Sequence, residues 1–99
     1  MDKGLRHSQI VNGLTDLYKA KNSDYGDSVH ETYLKYGLTS FLVRMEDKMS
    51  RLRSLSSKSS AEQRVKDESI RDTLLDLANY AIIAVIEMDE AADNRIGLK

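Results

Sequence analysis

Ninety-nine residues are enough for one small domain and leave little interior to spare. Fifteen basic residues balance sixteen acidic ones, which excludes the basic excess of a dedicated nucleic-acid binder. The absence of cysteine excludes disulfides, thiolate metal sites and a cysteine nucleophile. The longest apolar run, residues 81–86, is far too short to span a bilayer, and no leader peptide is recognisable, so a cytoplasmic protein is expected.

Proline is absent and glycine is scarce, so nothing interrupts long helices, and strand signals are weak. The expected fold is all-α, a single domain over residues 1–99 with its core at about 5–93. The first helix is predicted over about residues 5–21, where Leu5, Ile10, Leu14, Leu17 and Tyr18 recur on one face. Gly13 within it either weakens the helix or admits a close neighbour. Residues 21–28 are polar and rich in turn formers, and read as a loop. Asp27 or Ser28 is the expected cap of a short second helix that stops at Gly37. Thr39 or Ser40 then caps a third helix to about Leu55, with an apolar stripe of Phe41, Leu42, Met45, Met49, Leu52 and Leu55. Residues 54–61 hold five serines and read as a mobile loop. A fourth helix is expected from about 62–67 to about 93, apolar nearly all round between Leu74 and Met88, followed by a frayed tail at 94–99. Such a helix needs cover on several sides, so a homo-oligomer, dimer or tetramer, is expected.

The fourth helix carries Glu68, Asp72 and Asp76 at four-residue spacing, with Asn79 three residues on. Like charges so placed repel, and a divalent cation is one of the few partners that satisfies several carboxylates together. Asp76 stands out because Leu74, Leu75, Leu77 and Ala78 surround it. On the third helix Glu46 and Asp47 interrupt the apolar stripe, flanked by Arg44, Lys48 and Arg51. One of the two acids is expected to point inward. Antiparallel packing of the two helices would make an oxygen cage for Mg²⁺, or Mn²⁺, from Asp72 and Asp76 on one side and Glu46 or Asp47 on the other. The competing reading is a solvated acidic face with surface ion pairs. Lys21 and Asn22 could meet phosphate or sugar, and Tyr25 could stack on a base, although a capping turn explains the same segment. His7 and His30 have no ligand partner at fixed spacing and are expected at the surface.

Three blocks in one order carry a resemblance: Lys21-Asn22-Ser23-Asp24-Tyr25-Gly26-Asp27-Ser28, then residues Arg44 to Leu52, then residues Asp67 to Tyr80. Together they resemble the phage and prophage nucleotide-modification-associated domain family, over roughly residues 5–88. That family is similar to the MazG-like and dimeric-dUTPase-like all-α nucleoside triphosphate pyrophosphohydrolases. The resemblance implies a four-helix MazG-like bundle completed by oligomerisation, with Mg²⁺ held between two helices. The E-x-x-D box of MazG-like enzymes maps onto Asp72 and Asp76, at a spacing of four rather than three. Their E-E-x-x-E box maps onto Glu46 and Asp47, with no third acid following. Asn79 corresponds to a nucleotide-contacting position.

The implied activity is Mg²⁺-dependent hydrolysis of a (deoxy)nucleoside triphosphate to monophosphate and pyrophosphate. Asp47, Asp72 and Asp76 would be the core metal ligands, Glu46 and Glu68 would complete the site, one of them orienting water, and Lys21, Arg44, Lys48 and Arg51 would contact phosphate. The alternatives are a non-catalytic protein that sequesters a nucleotide or nucleotide-derived signal, and a helical interaction module.

Overall fold

The computed structural model describes residues 1–25, 27–57 and 63–95, apart from the side chains of residues 23–25 and 64. Four α-helices follow one another: α1 (Lys3–Tyr25), α2 (Ser28–Tyr36), α3 (Thr39–Ser57) and α4 (Gln63–Arg95). There is no strand among the described residues, as expected. No helix among them is long and apolar enough to cross a membrane. Residues 58–61 of the expected serine loop, residues 96–99 of the expected tail and the side chain of Tyr25 lie outside the described residues.

Local chemistry sets the helix ends. Asp2 Oδ1 accepts a hydrogen bond from the Leu5 N–H at 3.0 Å, which caps α1. That helix continues through residues 21–25, where turn-forming composition predicts a loop. Asp27 is the N-cap residue of α2 but makes no side-chain cap bond. At the other end Gly37, with φ 66°, donates its N–H to the Tyr33 carbonyl at 2.7 Å. This left-handed position suits glycine and reverses the chain into α3. The third helix also outlasts its predicted end, with Ser56 donating back to the Leu52 carbonyl.

The principal packing is of α3 on α4. Arg44 lies over the Tyr80 ring, 6.0 Å from its centroid. Lys48 Nζ is 3.4 Å from Asp76 Oδ2, and Arg51 Nε donates to Thr73 Oγ1 at 3.3 Å. Each advance along α3 is matched by an equal retreat along α4, so the two helices run antiparallel. The short α2 packs on α3, with the Tyr33 and Phe41 rings tilted and their centroids 5.9 Å apart. Phe41 is the largest fully buried side chain, only 1 % exposed.

The interior is thin. Leu14, Phe41 and Ala84 are the buried apolar residues among those described. Leu42, Val43 and Met49 of α3 and Leu74, Ile82, Val85, Ile86 and Met88 of α4 are exposed. The chain exposes 7421 Å², where a folded monomer of its mass exposes about 5,700 Å². Its radius of gyration is 16.2 Å, against about 13 Å for a compact chain of this length. A Cβ at Gly13 would meet nothing within 4 Å, so no element among the described residues uses that glycine for close approach.

Because Phe41 anchors both α2 and α4-facing α3, Phe41→Ala should cost about 3–5 kcal/mol, which is most of the stability of a small domain. Thermal unfolding followed by circular dichroism should show a melting temperature lowered by at least about 12 °C. A melting temperature within a few degrees of wild type would mean that the core lies elsewhere.

Candidate functional site

All four helices contribute to a cleft of about 340 Å³, within the range of small-molecule sites. From α1 come Tyr18, Lys21 and Asn22. From α2 and the turn before it come Asp27, Ser28, Val29 and His30. Arg44 and Lys48 line it from α3, and Asp76, Asn79, Tyr80, Ile83 and Glu87 from α4. The α4 residues recur at three- and four-residue steps, one stripe of one helix. Arg44 and Lys48 are one turn apart and share a face for the same reason.

The cleft therefore has a cationic wall. Lys21, Arg44 and Lys48 face Asp76, whose carboxylate is about a third exposed and neutralised by Lys48. Asn79 and Tyr80 add hydrogen-bonding groups, while Tyr18, Tyr80 and Ile83 offer flat or apolar surface. Primary and guanidinium cations beside aromatic surface are what phosphate and a heterocyclic base require.

A second feature lies further along α4 in the same cleft. His30 Nδ1 and Glu87 Oε2 are 2.6 Å apart, with the Glu87 side chain 9 % exposed. An ionised carboxylate only accepts, so the imidazole donates from Nδ1. Glu90, one turn beyond Glu87, joins them: the three residues offer ligand atoms all within 4.8 Å of one another.

The residues expected from sequence separate into two sets. Lys21, Asn22, Arg44, Lys48, Asp76 and Asn79 line the cleft together. Arg51 lies one step further along α3, on Thr73, itself buried and bonded to the Ser69 carbonyl. Glu46, Asp47, Glu68 and Asp72 are exposed and do not line the cleft. Glu46 accepts from Arg53 on the surface at 2.8 Å. Among the described residues, Asp47, Asp72 and Asp76 do not gather into a group of ligand atoms fit to hold Mg²⁺.

His30 corrects an expectation, since it is half-buried in the cleft wall rather than at the surface. Its partner is 57 residues away, so local spacing held no sign of it. Tyr18, Tyr80, Ile83 and Glu87 were also missed, although three of them continue the Asp76 stripe along α4 and were visible as such.

Comparison with known proteins adds a family. No curated protein and no solved structure matches the chain. The family described as Nucleotide modification associated domain 1 matches residues 21–88, the span that holds nearly every cleft residue. The chain belongs to the Nucleotide modification associated domain 1 family.

Proposed function

We propose that this chain binds a nucleoside phosphate in the four-helix cleft, with the phosphates on Lys21, Arg44 and Lys48 and the base against Tyr18 and Ile83. The observation that carries this reading is the convergence of three cations and apolar surface in one cleft of a nucleotide-modification-associated domain. Asn79 is placed to hydrogen-bond sugar or base from the same wall. Arg51 extends the cationic row outward for a longer polyphosphate.

The reaction we infer is pyrophosphohydrolysis of a (deoxy)nucleoside triphosphate, to the monophosphate and pyrophosphate, in the manner of MazG-like enzymes. Its support is the Asp76 carboxylate in the cleft beside the phosphate-holding cations. Within the single chain the acids expected to hold Mg²⁺ do not converge among the described residues. The second reading is sequestration of a nucleotide without turnover. It is favoured by the Lys48–Asp76 pair, which occupies the carboxylate, and by the outward placement of Glu46, Asp47 and Asp72.

A panel of ribo- and deoxynucleotides, incubated with Mg²⁺ or Mn²⁺ and resolved by chromatography, separates the two readings. Release of monophosphate and pyrophosphate supports the hydrolase. Recovery of intact, tightly bound nucleotide supports sequestration. Absence of both binding and turnover across the panel would refute the nucleotide reading and leave a helical interaction module.

Two substitutions give direction. Lys48→Ala should weaken nucleotide binding about tenfold, the loss of one charge-assisted contact of roughly 1.4 kcal/mol. Asp76→Asn should bind at least as tightly as wild type, because a negative charge facing phosphate is removed, yet should lose turnover. It should cost less than about 1 kcal/mol in stability, since the Lys48–Asp76 pair is partly solvated. Calorimetric titration and product assays on both variants check these statements, and unchanged binding by Lys48→Ala would displace phosphate from this wall.

We also infer that two copies associate. The surface excess described above is about 1,700 Å² for the chain, and a standard interface buries about 800 Å² per partner. The exposed apolar residues available to it are Leu42, Val43 and Met49 of α3 and Ile82, Val85 and Ile86 of α4. Sedimentation should give a dimer, or a tetramer built from it, at about ten micromolar. Val85→Glu should shift the protein toward monomer. A monomeric wild type at that concentration contradicts the inference.

A further inference from the structure

We propose that His30, Glu87 and Glu90 form a binding site for one divalent first-row transition metal that pins α2 to α4. The argument begins with charge. Glu87 and Glu90 are three residues apart on α4 and so project from one face, one above the other. Their ligand atoms lie within 4.8 Å of each other and of the His30 imidazole. Two carboxylates that close repel, and the Glu87 side chain is more than nine-tenths withdrawn from the water that would screen them. A cation between them relieves the repulsion.

The donor set selects the metal. One imidazole nitrogen with two carboxylates suits Mn²⁺, Fe²⁺ or Zn²⁺, whereas Mg²⁺ prefers an all-oxygen shell and retains its waters. The cation takes the place of the Nδ1 proton that now lies between His30 and Glu87, and in the neutral ring that proton passes to Nε2. Three protein ligands leave positions open, and two of the three residues line the cleft.

The site is distinct from the phosphate wall. Glu87 is eleven residues beyond Asp76 on α4, about 16 Å along the axis. Its consequence is mechanical: α2 is a nine-residue helix with no buried residue of its own, and a metal bond through His30 fixes it to the longest helix of the fold.

Co²⁺ titration of the full chain tests the proposal without any nucleotide, so its failure and that of the nucleotide reading are separable. The protein has no cysteine and two histidines, so a visible Co²⁺ absorption band reports carboxylate and imidazole ligation at one of two places. One equivalent should bind, be displaced by Zn²⁺ or Mn²⁺ and resist millimolar Mg²⁺. His30→Gln and Glu90→Gln should each lose the band, with at least a tenfold fall in affinity, while His7→Gln keeps it. Circular dichroism of each variant confirms the helical content. Should His30→Gln not fold, the Glu90→Gln arm, at a half-buried position, and the Zn²⁺-over-Mg²⁺ preference of the wild type still decide. No band in the wild type, displacement by Mg²⁺ as readily as by Zn²⁺, or a band lost in His7→Gln and retained in Glu90→Gln would overturn the site.

Discussion

The structure depends on the register of α3 against α4. Arg44, Lys48 and Arg51 form a cationic stripe on the side of α3 that meets α4, Arg44 and Lys48 half-buried and Arg51 exposed. Cations there are tolerable only if each head group meets an acceptor, and α4 supplies Tyr80, Asp76 and Thr73 at the reversed spacing. Sliding one helix by a residue would break all three at once and turn the apolar stripe away from its partner. The individual contacts are modest, each about 1 kcal/mol or less. Their value is that they select one alignment, and that alignment places Arg44 and Lys48 in the lining of the cleft.

The same register explains why Glu46 of α3 faces outward. It is two residues beyond Arg44, about 200° round the helix and so on the opposite side, while Asp47, three residues beyond, is about 60° off the cationic stripe and is exposed on its flank. Length adds a second consequence. The 33 residues of α4 extend about 50 Å, while the 19 residues of α3 cover about 29 Å of it. The remainder is met partly by α1, whose buried residue is Leu14, and α4 keeps an apolar face to solvent. Association of two copies is the economical way to cover a helix that no shorter neighbour can match.

The helices were legible in the sequence because their signals are local. An absence of proline, apolar residues at three- and four-residue steps and Gly37 at a reversal point to four helices near their observed bounds. The ends were less legible: polar residues 21–25 look like a loop, yet they continue α1. The site was legible in part. Lys21, Asn22, Arg44, Lys48, Asp76 and Asn79 were identifiable and meet in the cleft. The inward face of α3 was harder to recognise because a hydrophobic pattern counts lysine and arginine as polar. Their long aliphatic stems can nonetheless lie along a packed face with the charge directed to an acceptor. The acidic row of α4 misled for a different reason. Residues four apart drift about 40° around the helix at each step, so Glu68 and Asp72 rotate off the stripe that holds Asp76. Asp76 is followed along that stripe by Tyr80, Ile83 and Glu87, and these steps of four, three and four keep to one side.

Charge is distributed along the cleft in a way that one chemistry does not explain. The cations gather around Asp76, and the buried carboxylate with its imidazole lies three turns further along α4. Between them the wall is Tyr80 and Ile83. A phosphate placed at the His30–Glu87 end would meet a carboxylate and be repelled, whereas at the Lys48 end it displaces Asp76 from its partner and keeps a cation on each side. On the proposed reading, a nucleotide would have one favourable polarity in this cleft, phosphate toward α3 and base toward Ile83. The carboxylate end is left for a partner of the opposite charge. Separation of the two ends by apolar wall keeps each from neutralising the other, which is the electrostatic condition for both to hold a ligand at once.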